Sequence, residues 1–155
     1  MPFDANLVLI DGSVTYTAAT AASFVAATST TRETTNTGAA VIDLKGTGFH
    51  GLAAVLIIPV LTSATDYLEM IIEGSEEEDF AEAVYYNHVL ALFDIAAVTA
   101  SRILASECTA GAVVIRRFVT DLRYVRASGT PTAGTSTGTF STLKVLLSPY
   151  PHLDL

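Results

Sequence analysis

The polar and apolar positions of this chain alternate more often than they recur at helical spacing. From Asp66 to Glu73, Leu68, Met70 and Ile72 fall on one face of an extended chain, with Tyr67, Glu69, Ile71 and Glu73 on the other. That pattern predicts a β-strand, broken by Gly74 and Ser75 before the acidic run Glu76-Glu77-Glu78-Asp79. Ala40 to Leu44 alternates in the same way. Leu52 to Leu61 is apolar throughout and rich in β-branched residues, as expected of a strand covered on both faces. Ala91 to Thr99 reads as extended. Val113 to Val119 and Leu122 to Ala127 form two further strands around Thr120-Asp121, the second with Val125 opposite Tyr124 and Arg126. Thr139 to Leu147 closes the series, with Leu143, Val145 and Leu147 facing inward.

Between these runs the reading is less regular. Leu7 to Ile10 forms a short strand ended by Asp11-Gly12. An Ala/Thr tract from Val14 to Ala40 has no period and few large apolar anchors, which is the pattern of an arm or long loop, or of a pair of Thr-rich edge strands. Phe80 to Ala91 fits either a turn or two of helix or a loop. Ala100 to Glu107 fits a short helix or a connection, and Ser128 to Gly138 a loop of turn formers. The prolines of Ser148 to Leu155 favour an extended tail. The expected organisation is an N-terminal arm with a short strand over 1–39, an all-β antiparallel sandwich or jelly roll over 40–147, and a tail over 148–155.

Composition adds two constraints. Half of the 155 residues are hydrophobic and only 15% are charged, against roughly 25% in an average soluble domain. With a mean hydropathy of +0.47 and no apolar run near the ~20 residues of a membrane helix, the expectation is that much apolar surface is hidden by association with other subunits. The net charge of −8 argues against a phosphate-backbone partner and hence against nucleic acid. The charge is also segregated: Glu76 to Asp79 form a negative block, while Arg116, Arg117, Arg123 and Arg126 hold half of the eight basic residues. Such blocks read either as solvated patches or as complementary surfaces that set register between neighbours.

The chemistry-bearing residues do not assemble into a catalytic pattern. Gly46-Thr47-Gly48-Phe49-His50-Gly51 matches G-x-G-x-x-G, but the apolar, β-branched run after it cannot supply the amphipathic helix a dinucleotide needs. The acidic block lacks the ligand spacing of a calcium loop. His50, His88 and His152 are scattered, and Cys108 is a lone cysteine, best read as a small buried hydrophobe. Tyr85, Tyr86 and Phe93 suit core or interface packing better than a sugar-binding face. No enzyme activity, cofactor or metal is expected. The start, MPFDANLVLIDG, has neither the basic nor the long apolar region of a signal peptide.

The order of segments carries a resemblance. AAVIDLKGTG is followed by an apolar strand, then YLEMIIEGSEEEDF, RRFVTDLRYVRASGT and a closing TFSTLKVLL. With Val41-Ile42-Asp43-Leu44, the Glu73-Gly74-Ser75 turn ahead of Phe80, and Arg123-Tyr124-Val125-Arg126, the stretch from Ala40 to Leu147 resembles the small jelly-roll cement (decoration) proteins of tailed-bacteriophage capsids. The Ala/Thr-rich start, Ala81 to His88 and the Pro-Tyr-Pro tail depart from that pattern.

The resemblance implies a structural virion protein on the outer capsid surface, made in the bacterial cytoplasm. Such a protein bridges major capsid subunits and self-associates as a dimer or trimer, with no membrane or nucleic-acid partner. The partner contacts expected on this reading are Phe3, Leu7 and Leu9 of an arm (Pro2 to Ile10) and Tyr150 and Leu153 of a tail (Pro149 to Leu155), segments expected to order on a neighbour, together with Arg123 and Arg126. Two rival expectations are a jelly-roll module that binds carbohydrate or a host surface, and a head-completion or tail component.

Overall fold

The computed structural model describes residues 7–11, 16–17, 25–26, 41–45, 50–58, 67–80, 88–96, 103–104, 108, 111–132, 139–140 and 143–149. Their strands, in chain order, are β1 (Val8–Asp11), β2 (Tyr16–Thr17), β3 (Val25–Ala26), β4 (Val41–Asp43), β5 (His50–Ile58), β6 (Tyr67–Ser75), β7 (His88–Ala96), β8 (Ile103–Leu104), β9 (Ala112–Thr120), β10 (Tyr124–Thr132), β11 (Thr139–Phe140) and β12 (Lys144–Pro149). There is no α-helix among the described residues. The expected all-β class holds.

Two sheets carry the fold. The first has the order β1-β12-β5-β9, and the second runs β3-β10-β6-β7-β8, with β4 also paired to β10. All the long ladders are antiparallel, and only the two-residue β7–β8 contact is parallel. The chain crosses repeatedly between sheets: β4 and β6 belong to the second, β5 between them to the first. β9 and β10 are likewise split. β2 and β11 form a separate two-stranded ribbon.

The core lies between the sheets. Leu52, Ala54, Leu56 and Ile58 of β5 and Val145 and Leu147 of β12 meet Met70 and Ile72 of β6, Phe93 and Ile95 of β7, and Val125 and Ala127 of β10. Each large side chain buried there contributes roughly 1.5–3 kcal/mol over its exposed state. β5 is enclosed on both faces. Ala53 and Val55 are buried on its outer face as well, which explains why its sequence shows no alternation. Leu143, Val145 and Leu147 point inward as their spacing predicted.

Several boundaries differ from the sequence reading. Gly74 and Ser75 do not end β6; they continue its ladder opposite Val125 and Tyr124. Residues 128–132 are strand rather than loop, because β6 supplies them a partner as far as Thr132↔Tyr67. Ile103 and Leu104 pair with β7 instead of forming a helix or plain connection. The tail begins inside the sheet, since Ser148 and Pro149 face Ala53 and Leu52. Pro149 is tolerated because it is the last residue of its strand.

The N-terminal arm also needs correcting in part. β1 pairs with β12, and a bulge between Val8 and Ile10 turns both Leu9 and Ile10 into the core, at 0% and 1% exposure. Leu9 is therefore sealed by its own chain and is not a surface contact. β2 and β3 pair within the chain too, with β11 and β10. The helix-or-loop segment at residues 81–87 lies outside the described residues.

Candidate functional site

The residues that carried the resemblance lie side by side. β10 is flanked by β4 and β6, and the registers align three short segments across the sheet. Asp43, Tyr124 and Ser75 form one row, Ile42, Val125 and Gly74 the next, and Val41, Arg126 and Glu73 the third. The middle row faces the core through Ile42 and Val125. The outer two rows carry the polar chemistry.

In the third row Arg126 Nε donates to Glu73 Oε2 at 2.7 Å, both side chains being largely covered. The same guanidinium lies 4.1 Å from the centre of the Phe80 ring, a close cation–π contact. Phe80 closes the acidic turn with φ 52, a left-handed conformation uncommon for a bulky residue. Three contacts hold it there: its N–H donates to Glu77 O, Glu77 N–H donates to Ser75 Oγ, and its ring is buried under Arg126. The turn thus presents Glu76, Glu77, Glu78 and Asp79 to solvent on a fixed base.

In the first row Arg123 reaches Asp43 through two parallel bonds, Nε to Oδ1 at 3.0 Å and Nη2 to Oδ2 at 2.9 Å. The bidentate guanidinium, helped by the Lys45 N–H on Asp43 Oδ1, holds the Asp43 carboxyl below its ordinary range, while Asp43 raises the Arg123 pKa. Arg123 itself is half exposed.

These pairings split the positive block read from the sequence. Arg123 and Arg126 pair with Asp43 and Glu73 in the second sheet, whereas Arg116 and Arg117 belong to β9 in the first. Arg116 turns toward the core side and sits 5.8 Å over Phe93, donating to Ile115 O. Arg117 is on the exposed face.

That face of β9 is the feature the sequence reading did not single out. Val113, Ile115 and Val119 are 63%, 53% and 58% exposed, on the end strand of the first sheet. The strand-like run was visible in the sequence, but which of its faces is left uncovered depends on the sheet order. Among the described residues, Val89 is the remaining large apolar side chain that is exposed. The broad greasy exterior expected from composition is therefore concentrated, among these residues, in two small patches. The core side chains are buried, and Leu7, Leu44, Leu90, Ala112 and Val114 are partly buried against them.

The other candidates are placed as follows. Leu7 is partly buried and packs on the core. Phe3, Tyr150 and Leu153, as well as Tyr85, Tyr86 and His152, lie outside the described residues. Phe93 and Cys108 are fully buried, and His88 is exposed. His50 and Gly51 open β5, so the glycine motif leads into a strand, without the helix N-terminus that phosphate binding requires. His50 Nε2 and Asp94 Oδ1 are buried atoms without a hydrogen-bond partner. Asp94 stands directly opposite Glu69 on the β6–β7 ladder. No group of three metal-ligating side chains converges among the described residues.

Comparison with family models, curated proteins and solved structures finds no match for this chain.

Proposed function

We propose that this chain is a capsid cement protein of a tailed bacteriophage. It is a jelly-roll module that binds the outside of the head, bridges neighbouring major capsid subunits and stabilises the shell. The observation that carries the reading is the alignment of Val41-Ile42-Asp43, Tyr124-Val125-Arg126 and Glu73-Gly74-Ser75 in one three-strand ribbon. Those segments, scattered in sequence, are the ones that resemble cement proteins. They lie side by side in one sheet, and two ion pairs brace them on its outer face.

The physical case is one of rigidity and repetition. A surface bridge must resist deformation at small contacts, and a two-sheet body with a close-packed apolar core does so. Each contact can be weak, because many copies on a lattice act together. Carbohydrate binding and a head-completion role have no specific observation in their favour.

The test is co-sedimentation of the purified chain with phage heads prepared without it. The reading expects saturable binding in many copies per head and greater resistance of the decorated heads to heat. A chain that remains in the supernatant at every concentration contradicts it. Truncation after Pro149 keeps the β12 ladder whole and isolates the contribution of the tail. Truncation before Ser148 also removes the partners of Ala53 and Leu52.

A further inference from the structure

β9 is a long edge without the usual protections. It pairs with β5 through nine consecutive positions, with no bulge and no proline, and no other described strand pairs with its far side. Natural edges are commonly blunted by short length, bulges, proline or charge. The one outward charge here is Arg117, set among Val113, Ile115 and Val119. From Ala112 to Thr120 the strand has two arginines and no acidic residue, on a chain whose net charge is −8.

The second exposed patch has the opposite sign. Val89, 59% exposed, pairs with Glu73 on the β6–β7 ladder, one step from Gly74↔His88. The four exposed carboxylates of residues 76–79 follow directly from that end of β6. One patch is therefore apolar and cationic, and the other apolar and anionic.

We propose that a second copy of this chain docks its acidic turn, Glu76 to Asp79 with Val89 beside it, against the β9 edge at Val113, Ile115, Arg117 and Val119. Charge chooses this occupant over the obvious alternative. An antiparallel ribbon of two β9 edges would bring the outward Arg117 of each copy onto one face of two strands that hold no carboxylate, and like charges facing across a ladder are destabilising. Turn against edge instead places opposite charges together around a small apolar centre, the arrangement that favours both encounter and register. The inference rests on the cement reading only in taking self-association as part of the function.

The experiment is sedimentation equilibrium of the full chain, with thermal unfolding as a check that each variant folds. The wild type is expected to self-associate, and to do so less as salt rises. Ile115→Glu/Arg117→Glu on the edge, and Glu76→Arg/Glu77→Arg on the turn, should each weaken association by about tenfold or more. Mixing the two variants should restore it, because every contact between unlike variants again joins opposite charges. Val119→Glu provides a second edge variant should the first fail to fold.

A monomeric wild type, variants that stay assembled, or a mixture that stays apart would each overturn the proposal. A wild-type monomer that still decorates heads would remove this inference and leave the cement reading standing. A charge-swappable oligomer that never binds heads would support this inference and overturn the cement reading.

Discussion

Arg126 and Glu73 face each other across the β10–β6 ladder and are joined by a 2.7 Å charge-assisted bond, with Phe80 stacked on the guanidinium. The pair binds the two strands from their outer side. It also anchors the residue whose left-handed backbone closes the acidic turn.

Arg126→Ala leaves Glu73 covered without its cation and removes the ring contact from Phe80. The expected loss is about 2–4 kcal/mol, toward the lower part of the range for broken buried pairs because both side chains retain some exposure. Urea unfolding measures it. A change under about 0.5 kcal/mol would mean that the pair is solvated and does not brace the turn.

The Arg123–Asp43 pair should behave differently. Arg123 is half exposed, so solvent screens the interaction and its removal should matter much less than the loss of Arg126. The pH dependence has a definite sign. The Asp43 pKa is lowered in the folded chain, so its stabilisation is fully present above the unfolded value of about 3.9 and is lost as pH falls through the folded value. The stability difference between wild type and Asp43→Asn should be constant near neutrality and shrink in acid below about pH 4. A difference that grows on acidification would contradict this assignment.

Gly74→Ala tests why a glycine occupies the middle of a sheet. An added Cβ would sit 2.6 Å from Leu122 Cδ1, 3.0 Å from Leu90 Cδ1 and 3.3 Å from Leu122 Cβ. The expected cost is about 1–3 kcal/mol from overpacking. In the background of Leu122→Ala the same substitution should cost clearly less. Equal costs in both backgrounds would show that Leu122 is not the obstacle.

Leu9 and Val113 provide a paired test of what is core and what is surface. Leu9→Ala should destabilise the isolated chain by about 2–5 kcal/mol, since the bulge in β1 seals this side chain inside. Val113→Ala should alter stability by no more than about 0.5 kcal/mol, because that side chain is mostly in water. Chemical denaturation of the two variants at a protein concentration low enough to keep the chain monomeric separates these outcomes, and similar losses would contradict the placement of β9 at an edge.

The parts of the fold legible in the sequence were those with a local cause. Alternation located β6, β10 and β12, β9 stood out as a strand-like run, and the unbroken apolar run of β5 announced enclosure on both faces. What was hidden depended on partners distant in sequence. Gly74-Ser75 has the composition of a strand end, yet Val125 and Tyr124 keep it in the ladder. Leu9 looked available until a bulge turned it inward. The four arginines of the positive block were alike by composition, and Asp43 and Glu73 separated two of them from the two on β9. The exposed stripe Val113-Ile115-Val119 could not be told from a core stripe, because only sheet order shows that nothing described covers it.

The most direct test of the cement assignment is electron cryomicroscopy of heads prepared without this chain, imaged before and after adding it back. The account predicts new, regularly repeated density on the outer surface, spanning adjacent major capsid subunits and fitting a two-sheet body. Heads that look the same before and after addition, or added density confined to a single vertex, would contradict it.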